Sequence, residues 1–165
     1  MRILIVGLGS IGQRHLRVLK KLFKNSVKIF TLNTTKNKLL INDNFKTKKV
    51  SSLVKFYKIE AIDINQVEDY KIDVAFICNP PSLHIDIAIK LAKKNCNLFI
   101  EKPLAIETHQ KKIKILNKII KKRKLLVKVG YQLRYHPGIK IIQNIQDKKI
   151  LGKVLGGYFH YGEFT

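Results

Sequence analysis

The pattern of apolar and polar positions divides the chain into short alternating segments. Arg2 to Val6 (RILIV) is a β-branched and leucine run expected to form a buried strand. From Ser10 the period lengthens: Ile11, His15, Leu16, Val18, Leu19 and Leu22 share a broad helical stripe, with Lys20, Lys21 and Lys24 outside it. Val27 to Leu32 reads as a second strand and NTTKNK as the loop after it. Between Leu39 and Tyr70 the pattern weakens, with short elements expected around SSLVKFYK and INQVEDY. Strand character returns over Ile72 to Ile77. Pro80 and Pro81 end that strand, Ser82 is placed to cap a helix, and Leu83, Ile87, Ala88 and Leu91 form its expected buried face. Asn97 to Ile100 is a strand. A basic helix near Thr108 to Lys124 follows, with Ile113, Leu116 and Ile120 on one side, then a strand in LLVKVGY and a helix in PGIKIIQNIQDK. Strands alternating with helices of this length predict an α/β fold of parallel βαβ units, a doubly wound sheet. Right-handed crossovers then bring the functional loops to one edge of it.

Composition adjusts this picture in three places. The 165 residues suffice for one ordinary domain with a sizeable core, and no run of eighteen apolar residues predicts a membrane span. The N-terminal apolar run is broken by glycines and followed by charged turns without a small-residue cleavage site, so it reads as a strand and not a secretory leader. Cys78 and Cys96 lie in apolar surroundings without metal-ligand spacing, which fits buried thiols in a reducing cytoplasm. The net charge of +22 invites a nucleic-acid reading, but the 33 basic residues are overwhelmingly lysines. They are scattered over every polar segment, as AT-rich codon usage would produce, and no segment interleaves Arg with aromatics into a stacking platform. The expectation is a solvated surface that draws anionic ligands, with neither nucleic acid nor membrane as partner.

The chemistry starts at Ile5–His15, IVGLGSIGQRH. Gly7, Gly9 and Gly12 have the spacing G-x-G-x-x-G, directly after a predicted strand and opening a predicted helix. In that setting Gly7 permits a tight turn, Gly9 lets a pyrophosphate approach the backbone, and Gly12 lets the helix pack on the strand. Main-chain amides around Ser10 and Ile11 are then placed to hold phosphates. An acidic residue that would hold the adenosine ribose hydroxyls is missing after the second strand. Asn33 stands there instead, with Thr34 and Thr35 as hydrogen-bonding neighbours and Lys36 and Lys38 able to face a 2′-phosphate. The expected cofactor is NAD or NADP, with the lysines tilting the balance toward NADP.

Four segments in order, GLGSIGQRH, ICNPPSLH, IEKP and VGYQLRYHP, resemble the glucose–fructose oxidoreductase, inositol dehydrogenase and rhizopine-catabolism (Gfo/Idh/MocA) oxidoreductase family from Gly7 to Pro137. The resemblance implies a Rossmann domain over residues 1–135. Residues 136–165 would hold a connecting helix and the first strand of an incomplete α+β substrate domain. It implies that Asn79 and Pro80 lie near the nicotinamide ribose with His84 behind them, although Pro81 departs from the small residue found in many relatives. Glu101, Lys102 and Pro103 match a motif whose proline peptide is often cis and whose lysine enters the active site, where an ammonium would stabilise developing alkoxide charge. Gln132 and Arg134 would reach the nicotinamide and substrate side. Tyr131 and His136 are expected to be structural, His15 to lie near the phosphates, and His109 and His160 to be ordinary surface or strand residues. The implied function is an NAD(P)-dependent oxidoreductase acting on a carbinol or ketone of a sugar, cyclitol or nucleotide sugar, a homo-oligomer at full length. The family's catalytic histidine would fall beyond Thr165, so this portion is expected to bind cofactor and be inactive alone. The alternative is a non-catalytic dinucleotide-binding module.

Overall fold

The computed structural model describes residues 1–32, 38–44, 46–158, 160 and 162. Along them run β1 (Arg2–Val6), α1 (Ser10–Phe23), β2 (Lys28–Leu32), β3 (Leu39–Ile41), β4 (Thr47–Lys49), α2 (Leu53–Tyr57), β5 (Glu60–Ile62), β6 (Val74–Ile77), α3 (Pro81–Lys93), β7 (Asn97–Ile100), α4 (Gln110–Arg123), β8 (Val127–Val129) and α5 (Pro137–Asp147). They fall into two compact units, Met1–Gly130 and Tyr131–Thr165.

The first unit is built on a six-stranded sheet in the order β5-β2-β1-β6-β7-β8, all neighbours parallel. The chain therefore winds outward from β1 in one direction and from β6 in the other, the doubly wound order of dinucleotide-binding sheets. Parallel sheets of this kind are covered on both faces, and β1 shows why a near-continuous apolar strand suits them. Ile3 and Ile5 enter one core with Leu16, Leu19 and Leu53, while Leu4 and Val6 enter the other with Phe30, Ile85 and Leu91. Complete burial of side chains such as Ile85 and Leu91 contributes roughly 1.5–3 kcal/mol each.

The buried helix faces differ from those expected. On α1, Leu16 and Leu19 are buried with Gly12 and Gln13, whereas Val18 and Leu22 are 45% and 69% exposed. Val18 stands about 200° around the helix from Leu16, and the sheet covers a narrower arc than the apolar letters suggested. On α3 the buried stripe is His84, Ile85, Ala88, Leu91 and Ala92, and Leu83 is half exposed. That helix begins with Pro81, where a missing N–H costs nothing, and Pro80 takes the N-cap position, so Ser82 is not the cap. The three-residue β5 is too short to show a period in the sequence.

Gln13 is the polar residue that letter patterns could not place. It is fully buried, and its amide donates to the Leu8 and Leu39 carbonyls at 3.1 and 2.9 Å. Its side-chain oxygen accepts from Ile41 N and Tyr57 Oη. Arg17, one turn on, pairs with Asp43 and donates to the Ile41 carbonyl. Together they fasten the antiparallel β3–β4 hairpin to α1.

In the second unit a single 3-10 turn, Gln132–Tyr135, leads into α5, whose first turn is capped by His136 Nδ1 accepting from Gly138 N at 3.1 Å. This agrees with a structural His136. The strand expected after Gly152 is not formed over the described residues 152–158, which are exposed and belong to no ladder. Strand geometry persists where backbone groups find partners, and here they meet solvent.

Candidate cofactor-binding site

Strand register sets the site. Val6, Ile77, Ile100 and Val129 lie in one row across β1, β6, β7 and β8. The residues that follow, Gly7, Cys78, Glu101 and Gly130, therefore leave the sheet together at its C-terminal edge. The backbone ladder carries on for one more step, with Cys78 N donating to Val6 O, Glu101 N to Ile77 O, and Gly130 N to Ile100 O. The winding direction reverses between β1 and β6, so a crevice opens there, flanked by the loops after these strands.

The three glycines do different work. Gly7 has φ +91°, and a Cβ there would meet Asn79 N at 2.9 Å. Gly12 packs more tightly still: a Cβ would lie 1.9 Å from the Gly7 carbonyl oxygen. Gly9 has an ordinary extended backbone, and nothing stands within 4 Å of where its Cβ would be. The protein therefore does not need glycine at position 9 for its own packing. Gly9 is the N-cap of α1 and offers no side-chain acceptor, and the first turn holds no acidic residue. The first bond of the helix is Gln13 N to Gly9 O at 3.0 Å, so the amides of Ser10, Ile11 and Gly12 precede the ladder at the positive end of a fourteen-residue helix.

Across the crevice, the Asn79 side-chain oxygen is buried without a hydrogen-bond partner among the described residues. Burial of an unpaired amide oxygen costs on the order of 1–3 kcal/mol, so a group that donates to it would be favoured there. An open cradle at Gly9 and an unsatisfied polar atom at Asn79 fit a dinucleotide laid across the strand edge. Pro80 and Ser10 are exposed beside them and Ile11 is half-buried.

His84 is buried and both its ring nitrogens face carbonyls, Nε2 the Asn79 oxygen at 2.6 Å and Nδ1 the Pro103 oxygen at 2.8 Å. Expected behind the nicotinamide ribose, it has both ring nitrogens engaged by carbonyls and joins the loop after β6 to the loop after β7. The Lys102–Pro103 peptide in that second loop is cis. Lys102 is exposed, and its ammonium makes no ion pair among the described residues. Beside it, the Glu101 carboxylate accepts from His15 Nε2 at 2.7 Å, and the His15 ring lies against Phe76 and Phe99. His15, expected near the phosphates, thus pairs with a residue 86 positions away, and local sequence carries no sign of that pairing.

Asn33, Thr34 and Lys36 lie outside the described residues, while Lys38 is exposed. Gln132 and Arg134 are exposed on the 3-10 turn of the second unit. His109, expected at the surface, is 9% exposed, with Nδ1 unpartnered among the described residues. A cavity of about 690 Å³ opens at the opposite, N-terminal edge of the sheet, lined by Lys20, Lys24, Lys28, Lys58 and Glu60, well apart from the glycine loop. Cys78, under that loop, has its thiol pushed up to about 12, by burial first and then by the nearby Glu101 charge.

A doubly wound sheet with a glycine turn at its switch point defines a Rossmann dinucleotide-binding domain. The family model described as "Oxidoreductase family, NAD-binding Rossmann fold" (GFO_IDH_MocA) matches residues 1–131, and the chain belongs to this family. It is 30% identical over 155 residues to the inositol 2-dehydrogenase of Salmonella paratyphi B, covering 92% of this chain and 43% of that protein. The fold is similar to that of myo-inositol 2-dehydrogenase from Lactobacillus plantarum, with TM-score 0.71 and 23% identity over 93% of this chain and 43% of the other. It is also similar to the WlbA dehydrogenase from Chromobacterium violaceum, solved in complex with NADH and UDP-GlcNAcA, with TM-score 0.71 and 18% identity over 92% of this chain and 41% of the other. The chain thus spans less than half the length of the relatives it matches.

Proposed function

We propose that residues 1–165 bind a nicotinamide dinucleotide across the crevice between β1 and β6 and form the cofactor-binding part of a dehydrogenase for a polyol, sugar or nucleotide-sugar carbinol. The observation that carries this reading is the empty space at Gly9 in a loop whose other glycines are sterically required. In this reading the Ser10, Ile11 and Gly12 amides hold the pyrophosphate. Asn79 and Pro80 border the nicotinamide ribose, with the Asn79 oxygen accepting from it. Asn33 and Thr34 meet the adenosine ribose, and Gln132 and Arg134 serve the nicotinamide and substrate side. When bound, the dinucleotide supplies the hydride acceptor or donor. Lys102 then acts on the substrate oxygen, its ammonium stabilising the negative charge that develops as hydride departs.

The carbinol proton must also pass to a base within hydrogen-bond reach. In the first unit, His15 is engaged by Glu101 and His84 by two carbonyls. In this reading the base comes from outside that unit. The inositol-dehydrogenase relatives support a cyclitol or related polyol as substrate, and homo-oligomerisation remains part of the proposal.

Calorimetric titration with NADH and NADPH tests the reading. Saturable one-to-one binding is expected, with NADPH tighter, and the Lys36→Ala/Lys38→Ala variant should lose that preference. No binding of either dinucleotide to folded protein refutes the function. Tighter NADH binding, or a preference unchanged in the variant, refutes only the tilt toward NADP.

A further inference from the structure

We propose that His15 is a positioning residue: through Glu101 it fixes the backbone at Lys102 relative to the helix that follows the glycine loop. This rests on the cofactor reading above, since it gives Lys102 a partner to be positioned against.

The geometry is a chain of contacts between two elements that the sheet alone would not join. His15 sits on α1, two residues after Gln13, and Glu101 is the first residue past β7. The carboxylate can only accept, so His15 Nε2 carries the proton in the 2.7 Å bond to Glu101 Oε1. The other carboxylate oxygen accepts from the Lys102 amide at 3.3 Å. Both side chains are largely enclosed, His15 at 22% and Glu101 at 14% exposure. Two aromatic rings hold the imidazole in place: Phe76 of β6 and Phe99 of β7 have centroids 5.4 and 5.3 Å away and stack on each other at 5.0 Å. Gly130 completes the cage, because a Cβ there would come within 3.2 Å of Glu101 Oε1 and of the Phe99 ring.

Glu101 has no Lys or Arg partner among the described ion pairs, despite 33 basic residues in the chain. A surface ion pair would leave it free to swing. A caged imidazole instead gives it one direction, and short charge-assisted bonds of this kind are also the stronger ones. From the other side, His84 Nδ1 holds the Pro103 carbonyl. The residue meant to meet the substrate oxygen is thereby flanked by two histidine contacts, one reaching back to α1 and one to α3. Positioning within about half an ångström is what such a group requires, and a long exposed lysine needs its backbone fixed to achieve it.

The test is 15N relaxation of the Lys102 amide in the 165-residue chain, with NADH affinity measured in parallel. Wild type should show an order parameter near ~0.85, and His15→Ala should bring it below ~0.6. His15→Gln, whose amide can still donate to the carboxylate, should restore it, and Glu101→Ala should reproduce the loss should His15→Ala fail to fold. Gly9→Val should lose NADH affinity and leave the Lys102 order parameter unchanged. An order parameter that stays near ~0.85 in folded His15→Ala or Glu101→Ala overturns the positioning role. Loss of order in His15→Gln equal to that in His15→Ala overturns it as well. Undiminished NADH binding by Gly9→Val would instead strike the cofactor reading and leave the His15 contact standing.

Discussion

Substituting the glycines one at a time should separate ligand binding from folding. Gly9→Val places its side chain where nothing lies within 4 Å, on a backbone at φ −74° and ψ −167° that a β-branched residue adopts readily. Its cost to the fold is confined to a poorer N-cap, at most about 1 kcal/mol, or roughly 2–4 °C in melting temperature for a chain of this size. The same methyl groups occupy the surface on which a pyrophosphate would rest, and binding should weaken at least tenfold, about 1.4 kcal/mol. Gly12→Ala should behave oppositely in its origin. Its Cβ would sit 1.9 Å from the Gly7 oxygen, well inside contact distance, so helix and turn must separate. Overpacking of that kind costs on the order of 1–3 kcal/mol or more, and affinity then falls because the turn itself has moved. Calorimetry with NADH and thermal melting on both variants give the comparison. Equal affinity of wild type and Gly9→Val, both folded, would refute the reasoning. So would a Gly12→Ala protein that melts with wild type.

Gln13→Leu keeps the approximate volume but strips the Ile41 amide of its acceptor in a buried site, and should destabilise by about 1–3 kcal/mol, read as a lower melting temperature with β3–β4 loosened. Both cysteines should resist iodoacetamide at pH 8 in the folded chain and react fully in denaturant, because burial leads the rise of Cys78 to about 12 and Cys96 to about 11; prompt labelling of native protein would contradict their burial. The same shifts set an alkaline limit. Above pH 9.0 the unfolded thiols ionise while the folded ones keep their protons, so the unfolded state binds fewer protons and stability falls as pH rises toward about 11.

Local sequence determined the parts whose cause is local. The strand β1 is legible because a short, β-branched apolar run ended by glycine suits a strand covered on both faces. The glycine turn is legible because its spacing falls between the strand and the helix of one βα unit, where Gly12 must pack against the Gly7 carbonyl. Tertiary structure decided what depends on residues far apart in the chain. Nothing near Gln13 in the chain signals its burial; the hairpin and Tyr57 come round to satisfy both ends of its amide. The apolar stripe of α1 overreached at Val18 and Leu22 because the packing around the helix, and not the letters, sets how much of it is covered. His15 and Glu101 carry nothing in their own neighbourhoods that points to one another. They meet because parallel register brings the ends of β1, β6 and β7 to one edge of the sheet, and a hydrogen bond acts over 2.7 Å of space, whatever the 86 residues of chain between its partners.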